Sequence, residues 1–193
     1  KFKGMKKAFG GISTLASGAV VGGFLAAAKS AMGYAKEIDN LSKIAGIGVV
    51  EFQKLAAGAK TVGIENDKLA DIFKDVNDKL GDFEQAGSGP MKDFFEYIGP
   101  AVEVTADHFK DLSGPQALQL YYDSLEKANL NHEQMTFYME AIANDATALI
   151  PLLAKNGEKW GVIADEAERA GLVMGEITVE ELKKAQIELD KTA

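Results

Sequence analysis

The stretch that decides the fold is NDKLADIFKDVNDKLGDF, residues 66–83. Its large apolar residues are separated by three or four positions, with one adjacent pair, which is the spacing of an α-helix with one buried face. These residues are Leu69, Ile72, Phe73, Val76, Leu80 and Phe83. The asparagine before them, Asn66, has a side chain suited to an N-cap. The stretch therefore predicts an amphipathic helix capped by Asn66.

The segments on the N-terminal side of this helix have the same helical pattern and are separated by glycines. One helix is expected to run through Ala35 to about Ile44 and to stop at Gly46, and a second to cover residues 49–62 and stop at Gly63. Glycine adopts the left-handed backbone conformation that ends many helices at little steric cost. Both glycines are therefore predicted helix C-caps.

Further short helices are predicted downstream, between turns that contain glycine, proline or asparagine. The expected boundaries are a helix at about 90–98 ended by Gly99–Pro100, a short helix at 101–112, a helix capped by Ser113, a helix opened by the capping box of Asn131 and Gln134, an apolar run closed by Asn156–Gly157, a helix at about 158–170, and a helix at 179–191 opened by the capping box of Thr178 and Glu181. No segment has the alternation of a strand. The predicted fold class is all-α, with short amphipathic helices joined by tight Gly/Pro turns and preceded by a long Gly/Ala-rich apolar helix.

Charge divides the chain into a basic head and an acidic body. The net charge is −8, with +5 in residues 1–29 and −13 in residues 30–193. A nucleic-acid site needs a clustered positive face, so this body is a poor candidate for one. The chain has no cysteine, which excludes disulfides, thiolate nucleophiles and cysteine-ligated zinc.

The basic head contains FGGISTLASGAVVGGFLAAA, residues 9–28, which carries no charge. As a helix, the uncharged run would have a length of about 30 Å, close to the thickness of the bilayer's hydrocarbon core. Small residues recur at every fourth position, a pattern that lets helices approach closely. They are Gly10, Thr14, Gly18, Gly22 and Ala26. The run is interpreted as a membrane-inserting or helix-packing segment; a helix buried in an assembly and a signal peptide or other processing remnant are the alternatives.

No catalytic, cofactor or metal motif is recognised. His132–Glu133 lacks the second histidine that a metalloprotease helix requires, because Thr136 occupies that position. The aspartates of residues 66–83 recur at helical spacing rather than at the alternate positions of a calcium loop, so they are expected to face solvent. His108 is likewise expected to be satisfied or exposed, and Trp160 to be a core anchor. The chain is therefore not expected to be an enzyme.

The order of the helical motifs resembles that of tail tape measure proteins of tailed bacteriophages and prophages. The similarity covers roughly residues 36–175 and is carried by IDNLSKIAGIGVVEFQKLAAGAKTVGIENDKLADIFKDVNDKLGDF (38–83) and by GPQALQLYYDSLEKANLNHEQMTFYMEAIANDATALIPLL (114–153). In that family, Gly-Ile turns separate consecutive helices, and here the corresponding turn or hinge residues are Gly46, Ile47, Gly63 and Ile64. The chain departs from the family at Gly48, where serine or threonine is expected.

The resemblance implies a structural role in three parts of the chain. Residues 1–35 are expected to be the membrane-inserting or packing helix, 36–175 a tape-measure-like helical domain, and 176–193 a C-terminal helix that leads to a missing continuation. A chain that starts with Lys1 rather than Met is expected to be a piece of a longer protein.

Such a protein would lie in the lumen of the phage tail, set tail length during assembly in the bacterial cytoplasm, and enter the host envelope when DNA is ejected. Implied partners are further copies of the chain, tail tube and tail tip proteins, tail assembly chaperones and the host membrane, with no specific nucleic-acid site and no cofactor. The alternative is a membrane-active protein, pore-forming or secreted, with an acidic helical body.

Overall fold

The computed structural model describes residues 18–191, and for residues 18–25 it describes the backbone only. Within this range every regular element is helical and no strand is present, which confirms the all-α prediction for these residues. The helices are α1 (Gly18–Ala45), α2 (Val49–Lys60), α3 (Asn66–Ala86), α4 (Pro90–Asp93), α5 (Gly99–Val102), α6 (Gly114–Lys127), α7 (His132–Ile142), α8 (Ile150–Arg169) and α9 (Glu176–Asp190).

Helical turns of other types join several of these elements. A π-helical turn, Phe94–Ile98, connects α4 to α5, and 3-10 turns at Ala106–Phe109 and Ala146–Leu149 precede α6 and α8. Residues 154–157 interrupt α8, where Lys155, Asn156 and Gly157 have φ values of 55°, 56° and 72°. The predicted break at Asn156–Gly157 is therefore confirmed.

The apolar face of α3 lies in the core, as its spacing predicts. Four of its residues are buried and two are partly buried against the core; the four are Leu69, Ile72, Phe73 and Val76, and the two are Leu80 and Phe83. The prediction that Asn66 caps this helix is wrong. The cap is Glu65, whose backbone is extended and whose carbonyl accepts from the N–H of Leu69, so Asn66 is the first helical residue and is buried.

The first and last described helices pack against each other. Asp39 of α1 pairs with Lys183 of α9, and Gly48, just after α1, lies beside Glu176 at the start of α9. These two pairs require the helices to run antiparallel. Helix α1 also packs on α2 and α3, and its buried residues include Met32 and Ala35.

Helix α6 lies between α3, α7 and α8 and carries the central aromatic residue of the core. Tyr121 is fully buried, its ring centroid lies 4.5 Å from that of Phe94, and its hydroxyl donates to the carbonyl of Tyr138 at 2.9 Å. The predicted capping box of Asn131 and Gln134 is present and the predicted cap Ser113 also forms one, whereas the box predicted for Thr178 and Glu181 is absent because α9 has Gly175 as its N-cap. Ser113 N–H donates to Gln116 Oε1, and Asn131 and Gln134 exchange two hydrogen bonds.

Three predictions about the later elements are wrong: the helix end at Gly99–Pro100, the helix at 101–112 and the helix start at Thr178. Gly99–Pro100 was expected to end a helix but begins α5, and a Cβ at Gly99 would lie 2.5 Å from the carbonyl oxygen of Val104. Glycine is needed there because two backbone segments meet, and the expected helix at 101–112 is replaced by α5 and a 3-10 turn. The last helix begins at Glu176 after the N-cap Gly175, before the predicted cap Thr178.

Candidate functional site

The predicted packing segment is described only from its middle onward. Gly10 and Thr14 lie outside the described residues, whereas Gly18 and Gly22 belong to the backbone of α1. Ala26 is exposed on the same helix. The helical spacing of the last three positions is therefore present, and the role of the stripe stays a prediction.

The first half of α1 is left uncovered by the body where its side chains are described. Ala26, Ala27, Lys29 and Ser30 are exposed, and Met32 is the first buried residue. Among the helices formed by residues 18–191, none combines the length and the apolar character needed to span a bilayer. Residues 9–17 of the uncharged run lie outside this range.

The two Gly-Ile turns have the same hydrogen-bonded geometry. Gly46 has φ +71° and Gly63 has φ +82°, both left-handed. At the first turn the N–H of Ile47 donates to the carbonyl of Ser42, and at the second the N–H of Ile64 donates to that of Ala59, each at 3.0 Å. These six-residue closures are Schellman motifs, which end one helix and redirect the chain into the next.

The residues that follow the glycines of these turns contact the core to different degrees. Ile64 is buried and Ile47 packs partly against the core. A third turn of this kind ends α8, where Gly171 has φ +72° and Leu172 N–H donates to the carbonyl of Ala167. Leu172 is 68% exposed, so this third turn lacks the apolar contact that holds the second one to the core.

A buried amide joins α2 to the connection before α9. The side chain of Gln53 donates to the carbonyl of Met174 at 2.8 Å and accepts from its N–H at 2.9 Å. Gln53 is buried, and within residues 18–191 its side chain is the hydrogen-bond partner of both backbone groups of Met174. Sequence reasoning missed this contact, because 121 residues separate the two partners.

A second polar contact lies between α1 and α9. Asp39 accepts from Lys183, and also from Lys43 at 2.7 Å. These two hydrogen bonds, that of Lys183 first, lower the pKa of the Asp39 carboxyl below its ordinary value. The carboxylate is thereby held in its charged form between two helices that are far apart in sequence.

The indole of Trp160 fills the space between α2 and α8. Trp160 is buried, and its Nε1 donates to the carbonyl of Leu55 at 2.8 Å. A Cβ at Gly58 would lie 2.3 Å from its Cδ1. The expectation that this tryptophan is a core anchor is therefore confirmed. An open groove of about 270 Å³ beside the ring is also lined by Glu51, Gln116 and Gln119.

A larger open groove, of about 630 Å³, lies next to α5. Phe83 and Phe95 line it, with ring centroids 4.5 Å apart, together with Pro100 and Glu103. Its surface is mainly apolar, and among the described residues that line it there is no cluster of nucleophilic or proton-transferring side chains. The groove therefore has the chemistry of a contact surface.

The two histidines and the charged residues of α3 make hydrogen bonds or ion pairs, or face solvent. His108 Nδ1 accepts from the N–H of Thr105 at 3.0 Å, and His132 is exposed at the start of α7. On the polar face of α3, Lys74 pairs with Asp78 at 2.5 Å and Lys68 pairs with Asp145. Within residues 18–191 no three histidine or carboxylate residues are grouped as a metal site would require.

Comparison with known proteins adds no family. No family model, curated protein or solved structure matches the chain.

Proposed function

We propose that this chain is a structural segment of a tail tape measure protein of a tailed bacteriophage or prophage, and that it acts by helix packing rather than catalysis. The observation that carries the proposal is the helix–turn–helix–turn–helix order of residues 38–83. Residues 38–83 form the end of α1, all of α2 and most of α3, and the two Gly-Ile pairs lie at the turns between these helices.

The exposure of Ala26 and Ala27, where the side chains of α1 are first described, supports a packing role for the small-residue stripe. An exposed helix face with only small side chains leaves its backbone accessible to another helix. In the assembled tail this face would contact further copies of the chain, and after ejection the same segment, residues 9–28, would enter the host envelope. The Gly46–Ile47 and Gly63–Ile64 turns would act as hinges between helices when the protein leaves the tail.

The experiment for the tail role is made in the phage or prophage that encodes the chain. We expect mass spectrometry to find the protein in purified tails, and expect deletion of its gene to give tails of irregular length in electron micrographs. Reintroduction of the gene is the control and should restore one length. Particles that lack the protein, or tails of normal length after deletion, would refute the proposal.

The stripe is tested separately in the full chain with Gly18→Leu/Gly22→Leu. Leucine holds two helix backbones apart but raises hydrophobicity, so we expect fewer crosslinked oligomers together with more insertion into liposomes. Ala27→Leu, next to the stripe on the same exposed helix half, is the matched control. Unchanged or more abundant oligomers in the double variant would show that the stripe is not an interface.

A further inference from the structure

We use the name aromatic patch for Tyr97 of the π turn together with Phe137 and Tyr138 of α7. Helix α4, which leads into the π turn, packs against α7, and Tyr97 lies near enough to Tyr138 to raise its pKa. Tyr97 is 64% exposed and Phe137 is 58% exposed, and they are the two aromatic residues among the exposed large apolar side chains of the described range. The rings of Phe137 and Tyr138 are edge to face, with centroids 5.3 Å apart. Exposed rings in one place are typical of a contact surface.

The backbone holds the aromatic patch in place. An α-helix would turn residue 97 toward the same side as Phe94, but the wider π turn, closed by Gly99 N–H to the carbonyl of Phe94, buries Phe94 and Ile98 and leaves Tyr97 outside. On α7, the carbonyl of Tyr138 accepts the hydroxyl proton of the buried Tyr121. The patch is thus attached to the core on both sides, and binding there orders little additional structure.

The residues that flank the aromatic patch in sequence are mainly acidic, although the exposed Lys92 adjoins Asp93. Asp93 precedes Tyr97 by four residues, and Glu133 and Glu140 lie one helical turn before and after Phe137. Burial raises the pKa of Tyr138 first, and the nearby Asp93 and Tyr97 raise it further. Within residues 18–191, no lysine or arginine forms an ion pair with any of these three carboxylates. Carboxylates and aromatic ring faces both attract cations.

The chain itself contains a segment of complementary chemistry. Residues 1–9, KFKGMKKAF, carry four lysines and no acid, and also Phe2, Met5 and Phe9. We propose that the aromatic patch binds residues 1–9 of a second copy of this chain, with lysines against the carboxylates and rings, and large apolar side chains against Tyr97 and Phe137. The proposal names a second copy rather than the same chain, since the main contacts of the described part of α1 are with α2, α3 and α9, whereas the patch belongs to α7 and the π turn. The proposal does not depend on the tail role.

The first experiment measures self-association of the full chain by sedimentation velocity over a range of concentrations at low and high salt. We expect self-association that weakens as the salt concentration rises. Tyr97→Ser/Phe137→Ser should raise the dissociation constant of this self-association by about tenfold or more. Val162→Ser/Ile177→Ser is the matched control, because these apolar side chains are also exposed, at 52% and 77%, and lie elsewhere. Circular dichroism verifies that each variant remains helical. A wild-type monomer at every concentration, or equal effects of the two double variants, overturns the proposal.

The second experiment exchanges the charges. Glu133→Lys/Glu140→Lys and Lys3→Glu/Lys6→Glu/Lys7→Glu should each weaken self-association at least as strongly as Tyr97→Ser/Phe137→Ser does, since each brings like charges together. When the two variants are mixed, the basic patch of one can bind the acidic segment of the other, so association should return. No recovery in the mixture overturns the proposal, as does concentration-independent binding within one chain.

Discussion

Gly58 provides the sharpest test of the core, because a single methyl group there must overlap the only tryptophan of the chain. In Gly58→Ala the new Cβ would lie 2.3 Å from Cδ1 and 2.4 Å from Nε1 of Trp160. The indole has to move, and its buried hydrogen bond to the carbonyl of Leu55 is then lost. We therefore expect a large loss of stability from a substitution that usually stabilises a helix.

The magnitude follows from three contributions. Overpacking costs about 1–3 kcal/mol, and leaving the indole N–H and the carbonyl of Leu55 unpaired costs about 1–3 kcal/mol. Replacing glycine by alanine inside a helix returns about 1 kcal/mol. The free energy of unfolding should fall by about 3 kcal/mol, which for a domain of this size lowers Tm by roughly 6–12 °C.

The assay is urea unfolding followed by circular dichroism and by the fluorescence of Trp160. Gly161→Ala is the matched control on α8, because nothing lies within 4 Å of its added Cβ, and it should raise stability by about 0.5–1 kcal/mol. In a Trp160→Leu background, most of the cost of Gly58→Ala should disappear. If Gly58→Ala is as stable as the wild type, the packing of this glycine on the indole is refuted.

Three further predictions concern single contacts. Gln53→Met should lower the free energy of unfolding by about 1–3 kcal/mol, because Met174 loses both side-chain partners, and should speed amide exchange at Met174; unchanged exchange would contradict the contact. The hydrogen bonds of Asp39, that of Lys183 first, lower the pKa of its carboxyl. The stability that the Asp39 carboxylate contributes is therefore present above the unfolded-state pKa of about 3.9 and is lost as the pH falls through the folded-state pKa. Urea titrations at several pH values should show that the stability difference between the wild type and Asp39→Asn shrinks below about pH 4. Gly63→Ala should cost about 1–2 kcal/mol, because its φ of +82° strains any Cβ although space is free; thermal unfolding at the wild-type Tm would exclude this.

The elements that sequence predicted correctly depend on local chemistry. The helix ends at Gly46 and Gly63 and the capping box of Asn131 and Gln134 involve residues at most five apart, so the pattern itself contains both partners. The apolar face of α3 is similarly a property of one helix. These features fixed the fold class and the order of the first three helices.

The elements that were predicted wrongly depend on contacts that the helical pattern does not contain. Gly99 is needed for its close approach to Val104, and a glycine before proline otherwise indicates a helix end. The start of α9 lies before Thr178 because Gln53, far away in sequence, holds Met174. The aromatic patch combines Tyr97 with Phe137 from another element, so helical periodicity within either segment could not show it.

The pairing of α1 with α9 has a consequence during synthesis on the ribosome. About 130 residues separate the end of α1 from the start of α9, and at roughly 5–20 residues per second translation needs about 7–26 s to make them. During that interval the strip of α1 that α9 covers, including Asp39, has no cover from the same chain. The packing of α1 is therefore completed only after Lys183 has been synthesised, late in translation.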